Sequence, residues 1–454
     1  MAGGFCANDE HEACHACSVS TRLIVVPRLY VSLTTCLVLL VPALALTSPV
    51  GGPAVLYLAG LISLAALAGN AVKHYEPMDF RAMWPMSLAL LLPLVCLVAT
   101  FAVRGVWSNS ELEKLLRFAL AVPVLWLLLR APQRWLKHVQ WSILAGAVAG
   151  SVLLIVTLKT VGRGGMIDVG GRYNAVSFAN ITLLLGMMTL LSLGWGACTR
   201  WPRAEMAVKL GAATLTVYAT WVSETRSSWM LLPIVALIFM LGLRDWNRKH
   251  KVYCALGVIA VLAISAATIW TYSTRMQDIA KDLQGFSTSA NRDTSFGTRL
   301  QLWQASIMMF EKSPIVGVGP SKFRDELLEL ESKGVVTRQV IEGYGEPHND
   351  LLAALSGYGL LGLISILTLY LLPAAIFFRR LASDDRVIRV GAQLGLLFCL
   401  GFCAFSLTEM MFRNMRSVPN YSLIVVTLIA LTTPRLPRPP RAVAADQAPV
   451  SRPG

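Results

Sequence analysis

The chain carries six histidines, and their positions sort them. His11 and His15 lie in a polar N-terminal tail, and His74, His138 and His250 lie in or beside basic connections between apolar runs. His348 stands apart, in Glu346-Pro347-His348-Asn349-Asp350, directly ahead of a long apolar run. Proline followed by Asn and Asp marks a helix start, and a neutral imidazole can accept a proton from an attacking hydroxyl. Taken alone, His348 reads more simply as a helix-end residue at an interface. Asn349 serves either to cap that helix or to orient His348. Arginines supply the second element. Arg226 sits in Ser223-Glu-Thr-Arg226-Ser-Ser-Trp229, a tight connection, and Arg299 opens an amphipathic stretch. Arg172 and Tyr173 follow Gly170-Gly171, and Arg413 and Arg416 flank the last connection. A guanidinium offers a planar fork of donors that matches phosphate oxygens and keeps its charge. Each of these arginines alone is explained by lipid head-group contact or by a salt bridge to Glu224 or Glu409. Together with His348 they outline a site that could hold a diphosphate while a hydroxyl loses its proton.

The elements that must position these residues are membrane helices. The 454 residues are 55% hydrophobic and only 15% charged, against about 25% charged in ordinary soluble domains. Long, nearly charge-free runs alternate with short charged connections, which is a membrane signature. The fold class expected is an all-α polytopic membrane protein of about 12 transmembrane helices with one large, partly helical outer loop. The spans are predicted near 28–47, 53–72, 84–103, 116–130, 139–161, 175–197, 205–223, 228–243, 252–272, 351–378, 390–409 and 418–434. The organisation is then a cytoplasmic tail (1–22), nine spans (23–272), an outer loop (273–350), three spans (351–434) and a Pro- and Arg-rich, disordered cytoplasmic tail (435–454).

Orientation follows from the basic connections. With both termini cytoplasmic, the inner loops gather Arg130/Arg134/Lys137, Arg200/Arg203/Lys209, Arg244/Arg248/Lys249/Lys251 and Arg379/Arg380/Arg386/Arg389, and the short outer loops hold fewer. This satisfies the positive-inside rule. The net charge of +14 is thereby spent on topology, and no basic stretch interleaved with aromatics points to nucleic acid. His348 and the arginines singled out above all fall outside. Within the outer loop, Thr298 to Glu311 carries Leu300, Trp303, Ile307 and Phe310 at helical spacing. Pro314 and the Gly317-Val-Gly319-Pro320 turn end that helix. Of the nine cysteines, Cys36, Cys96, Cys254, Cys399 and Cys403 fall in apolar runs, as small packing residues do. The tail sequence Cys6…His11…Cys14-His15-Ala16-Cys17 lacks a second well-spaced pair and is a weak zinc candidate. The tail is acidic where a signal peptide would be basic, so no cleavable signal is predicted.

Three pieces occur in order: Thr225-Arg226-Ser-Ser; Gly297-Thr-Arg299-x-x-x-Trp303 leading to Pro314-x-x-Gly317-x-Gly319; and Pro347-His348-Asn349-Asp350-x-Leu352 followed by Gly357-x-Gly359-x-x-Gly362. This pattern resembles the O-antigen ligase/polymerase superfamily of bacterial envelope glycosyltransferases, which also contains protein O-oligosaccharyltransferases. Chain size and a single dominant late loop favour the ligase (WaaL type) over the polymerase, which often has two comparable outer loops. The resemblance implies a GT-C-like glycosyltransferase in the bacterial inner membrane with its site on the periplasmic face. The donor would be O-antigen glycan on undecaprenyl pyrophosphate, and the acceptor a sugar hydroxyl of lipid A-core. His348 would be catalytic. Arg226 and Arg299, and more weakly Arg172, would bind the donor pyrophosphate, with Asn349, Tyr173, Arg413 and Arg416 in support. It implies no cofactor and no metal, and direct attack would invert the anomeric centre. A reading of another class is a lipid-oligosaccharide flippase. It would need charges buried within the spans, whereas here they collect at the ends.

Overall fold

The computed structural model describes residues 28–69, 80–169, 173–196, 199–242, 292–343, 345–412 and 416–435, with isolated residues between 247 and 256. Among them the ordered elements are helices. In chain order they are α1 (Arg28–Thr47), α2 (Gly51–Ala68), α3 (Phe80–Arg104), α4 (Asn109–Leu128), α5 (Val139–Thr160), α6 (Ala175–Leu191), α7 (Pro202–Val222) and α8 (Leu231–Gly242). Then come α9 (Ser295–Lys312), α10 (Phe323–Ser332), α11 (Arg338–Gly343), α12 (Asp350–Arg380), α13 (Arg386–Ser406) and α14 (Ser417–Thr432).

Seven helices are long and apolar enough to cross a membrane, those at α1, α2, α3, α5, α6, α12 and α13. Two more apolar helices, Arg226–Gly242 and Ser417–Thr432, are shorter. The predicted spans at 116–130 and 205–223 are helical as α4 and α7, but fall outside the long apolar set. α4 begins with Glu111, Glu113, Lys114 and Arg117, and α7 with Arg203, Glu205 and Lys209. The predicted ninth span (252–272) falls almost entirely outside the described residues. So do the N-terminal tail with its Cys/His cluster, the start of the outer loop, Arg172, Arg413 and the C-terminal tail beyond Arg435.

The core is built around α14, whose residues are all buried. A helix apolar on every side must be enclosed by others, and α4, α12, α13, α1 and α2 enclose this one. Its 16 residues are fewer than the about 20 that a lipid-facing span needs. Small residues permit the close packing that replaces a hydrophobic drive inside lipid. A Cβ on Gly146 of α5 would lie 2.2 Å from the Pro42 carbonyl oxygen of α1.

The two ends of the bundle differ. At one end arginines and glutamines bond helix carbonyls: Arg380 reaches Ile429 O at 3.0 Å, and Gln133 reaches Leu431 O at 2.9 Å. At the other end the connections 105–108, 161–169, 223–226, 313–349 and 407–412 gather. Thr100 Oγ1 donates to Val316 O at 2.9 Å, Arg163 to Ser223 O at 2.6 Å, and Tyr358 to Glu111 at 2.9 Å. This second end carries the candidate site.

Candidate functional site

α9 covers the predicted Thr298–Glu311 helix and begins three residues before it, at Ser295. Thr294 caps it by accepting from Gly297 N–H at 3.0 Å. Gln301 then ties both strands of the loop, donating to Arg292 O at 2.7 Å and accepting from Thr337 N–H at 2.8 Å. Leu302, Ala305 and Met309 pack with Phe323 and Leu327 of α10 and Val340 of α11 into a small second core. This core makes α9 a fixed strut. One turn after Arg299, Trp303 Nε1 donates to the Pro347 carbonyl at 3.0 Å. That bond attaches the strut to the residue next to His348.

The other attachment is main chain to main chain. α12 breaks at Gly359, where φ is 66°. The break frees backbone groups that the segment after α9 takes up. Val318 and Gly319 N–H donate to Ser356 O and Gly357 O at 2.9 and 3.0 Å. Leu360 N–H donates to Pro314 O at 2.8 Å. Such exchange is what irregular backbone within an apolar bundle requires. A Cβ on Gly317 would lie 2.4 Å from the backbone at Gly357 and Tyr358, and one on Gly359 would lie 2.4 Å from Ile315 C. The Pro314-x-x-Gly317-x-Gly319 and Gly357-x-Gly359-x-x-Gly362 patterns are thus two halves of one joint.

His348 sits at the head of α12 with φ 50°, an uncommon conformation for a residue with a side chain. Asn349 caps the helix: its Oδ1 accepts from Leu351 and Leu352 N–H at 2.9 and 3.1 Å. Its Nδ2 donates to Leu407 O at 3.0 Å, tying the helix head to the 407–412 turn. Asp350 grips the same turn, accepting from Met411 N–H at 2.9 Å and from Tyr370 OH at 3.1 Å. Phe412 stacks on Tyr370 with ring centroids 5.5 Å apart and meets Tyr421 of α14 edge-on at 5.1 Å. These contacts set Glu409 opposite His348, with Nδ1 and Oε1 3.2 Å apart. The Glu409 side chain is 3% exposed and that of His348 17%. Burial opposes the Glu409 charge. The His348 bond, the charge that His348 carries when protonated, the Met410 N–H and the field of Arg299 outweigh it and hold the carboxyl below the ordinary glutamate value.

The structure therefore brings His348, Glu409 and Arg299 into one neighbourhood. In the sequence Glu409 stands out only as a salt-bridge partner for an arginine. Its place after α13, far from His348 along the chain, gave no sign of the pairing. Tyr173 and Arg416 fall in a second cluster. Asn420 Nδ2 donates to Tyr173 OH at 3.0 Å. Burial pushes the Tyr173 hydroxyl up, against the Asn420 bond and the charge of Arg416. Arg226 is exposed at the start of a short 3-10 turn, Arg226–Met230. Ser228 and Ser227 of that turn donate to Asn180 Oδ1 at 2.7 and 3.2 Å. The turn packs on α6, α8 and α13, the helix that leads to Glu409. No bond joins Arg226 to the His348 pair among the described residues.

Comparison with known proteins bears on the family. A model of the O-antigen ligase family matches residues 211–367, a stretch that includes Arg226, Arg299 and His348 but not Glu409. The chain is 25% identical over 273 residues to the O-antigen ligase of Escherichia coli K12, covering 58% of each protein. It is 22% identical over 188 residues to an uncharacterised protein of Haemophilus influenzae, covering 41% of this chain and 47% of that one. The matched regions span about half the length of these curated relatives. The family whose model matches residues 211–367 is the one that the motifs resemble.

Proposed function

We propose that this protein is an O-antigen ligase, transferring glycan from undecaprenyl pyrophosphate to a sugar hydroxyl of lipid A-core at the periplasmic face of the bacterial inner membrane. The observation that carries this reading is the His348–Glu409 pair within the field of Arg299, on a helix head joined to α9 through Trp303. The family match supports the reaction class.

The chemistry needs a base and a cation. With Glu409 ionised, Nδ1 of His348 donates to it, and Nε2 carries the lone pair. Nε2 takes the proton of the acceptor hydroxyl as its oxygen attacks the anomeric carbon, a role worth about 10²–10⁴-fold. The bond from that carbon to the phosphate oxygen breaks, and its electron pair leaves with undecaprenyl pyrophosphate. Arg299 stands where this charge develops. Arg226, on its own turn, meets the distal phosphate; Arg172, a weaker donor-binding candidate, and Arg413, in support, lie outside the described residues. A single displacement of this kind inverts the anomeric centre and uses no cofactor. Tyr173, Asn420 and Arg416 support the neighbouring wall.

The test uses purified protein with undecaprenyl-pyrophosphate glycan and either lipid A-core or a second donor. Glycan on lipid A-core is the expected product. Glycan-on-glycan products would instead identify a polymerase, and no transfer under either condition would end the glycosyltransferase reading.

A further inference from the structure

A cleft of about 220 Å³ opens beside the His348 pair, between α3, α4 and α12. Residues 345–347 and Met410 and Phe412 form its near wall, so it backs onto His348 and Glu409. Its floor is apolar, with Leu115, Phe118, Ile366 and Leu369. Its polar edge is acidic: Glu111, Glu346 and Asp350 line it against one cation, Lys114. That cation is already engaged, 2.7 Å from Glu111 Oε1, while Tyr358 OH donates to Glu111 Oε2 at 2.9 Å. Asp350 is turned inward to the 407–412 turn.

We propose that this cleft binds the hydroxyl-rich, phosphate-free sugar end of the acceptor, and so sorts the two substrates by charge. This rests on the ligase reading above. A diphosphate entering here would meet the Glu346 carboxyl and a Glu111–Lys114 pair whose charges offset each other, with no further cation among the lining residues. The like-charge repulsion and desolvation would oppose it. A sugar ring suits the same surface. Its hydroxyls donate to carboxylates, and its C–H faces lie on Pro347 and Phe323. The volume is below the roughly 300–1,000 Å³ of pockets for drug-sized ligands, consistent with a single ring. The arginines that could hold a diphosphate, Arg299 and Arg226, are not among the lining residues. The acceptor oxygen would then approach His348 from the cleft and the donor from the arginine side.

The test measures binding of lipid A-core and of undecaprenyl pyrophosphate separately to the full-length protein in nanodiscs. The variants are Ala353→Phe, which fills the cleft, and Glu111→Gln, which keeps its shape. Expected is a loss of lipid A-core affinity of tenfold or more for Ala353→Phe and severalfold for Glu111→Gln, with the diphosphate lipid bound as by the parent. If Ala353→Phe does not fold, Glu111→Gln and Tyr358→Phe decide the matter by the same readout. Unchanged acceptor binding in the folded variants, or a loss of diphosphate binding instead, overturns the proposal. So does a parent protein that binds no lipid A-core. A parent that binds lipid A-core through this cleft but transfers no glycan would overturn the ligase reading alone.

Discussion

Glu409→Gln isolates the charge of the residue behind His348 while preserving its shape. The side chain is 3% exposed and lies 3.2 Å from Nδ1, so solvent offers little substitute. A hydrogen bond to a charged partner contributes about 1.5–3 kcal/mol and a neutral one about 0.5–1.5. The difference of about 1.4 kcal/mol corresponds to about tenfold in rate. If the new amide instead presents its NH₂ to Nδ1, the imidazole is held in the wrong tautomer. The loss then approaches the whole contribution of the base, about 10²–10⁴-fold. The expected result is therefore a fall in kcat of at least about tenfold, with the donor KM within about twofold of the parent. Because Glu409 acts through His348, adding Glu409→Gln to His348→Ala should cost nothing further. Single-turnover transfer to lipid A-core measures both. A Glu409→Gln variant with parental kcat, or a double variant that loses the full product of the two effects, would show that Glu409 does not position the base.

His348→Ala should abolish transfer by the full 10²–10⁴-fold while the protein stays folded, read from lipopolysaccharide profiles in a ligase-null cell. Arg299→Lys should raise the donor KM and rescue only part of the activity lost in Arg299→Ala, because an ammonium lacks the fork. Gly359→Ala should destabilise by more than the roughly 1–3 kcal/mol of its nearly glycine-only backbone conformation alone, since the added carbon overlaps Ile315; thermal unfolding in detergent reads this. The lowered Glu409 value carries a pH signature: it contributes stability that is complete above the ordinary value of 4.5 and is lost as pH falls through the lower folded value. The stability gap between parent and Glu409→Gln should therefore persist at pH 4.5 and close below it.

The helices were legible because their apolar runs are long and their connections charged. All predicted spans except the ninth, which falls outside the described residues, coincide with helices. The break within α12 was not legible from periodicity, because the residues on both sides of Gly359 keep helical apolar spacing; only its glycines marked it. Among the site residues, His348 and Arg299 stood out by type and position. Glu409 did not, since pairing across folded elements leaves no spacing in the chain. The acidic edge of the cleft was missed for a similar reason. Glu111 and Lys114 look like an ordinary helix-surface pair at i, i+3, and only folding sets them against Tyr358.

The joint between the 314–319 segment and the broken helix also constrains how sequences of this kind can diverge. Main-chain bonds hold it, so side chains along it can change provided the glycines stay. Length cannot change. An insertion between Arg299 and Gly319, or between His348 and Gly359, would slide guanidinium and imidazole out of step. The stretch from Phe323 to Gly343 lies between those two intervals and rests on its own small core. Variation in length among related chains should collect there, leaving the reacting groups in register.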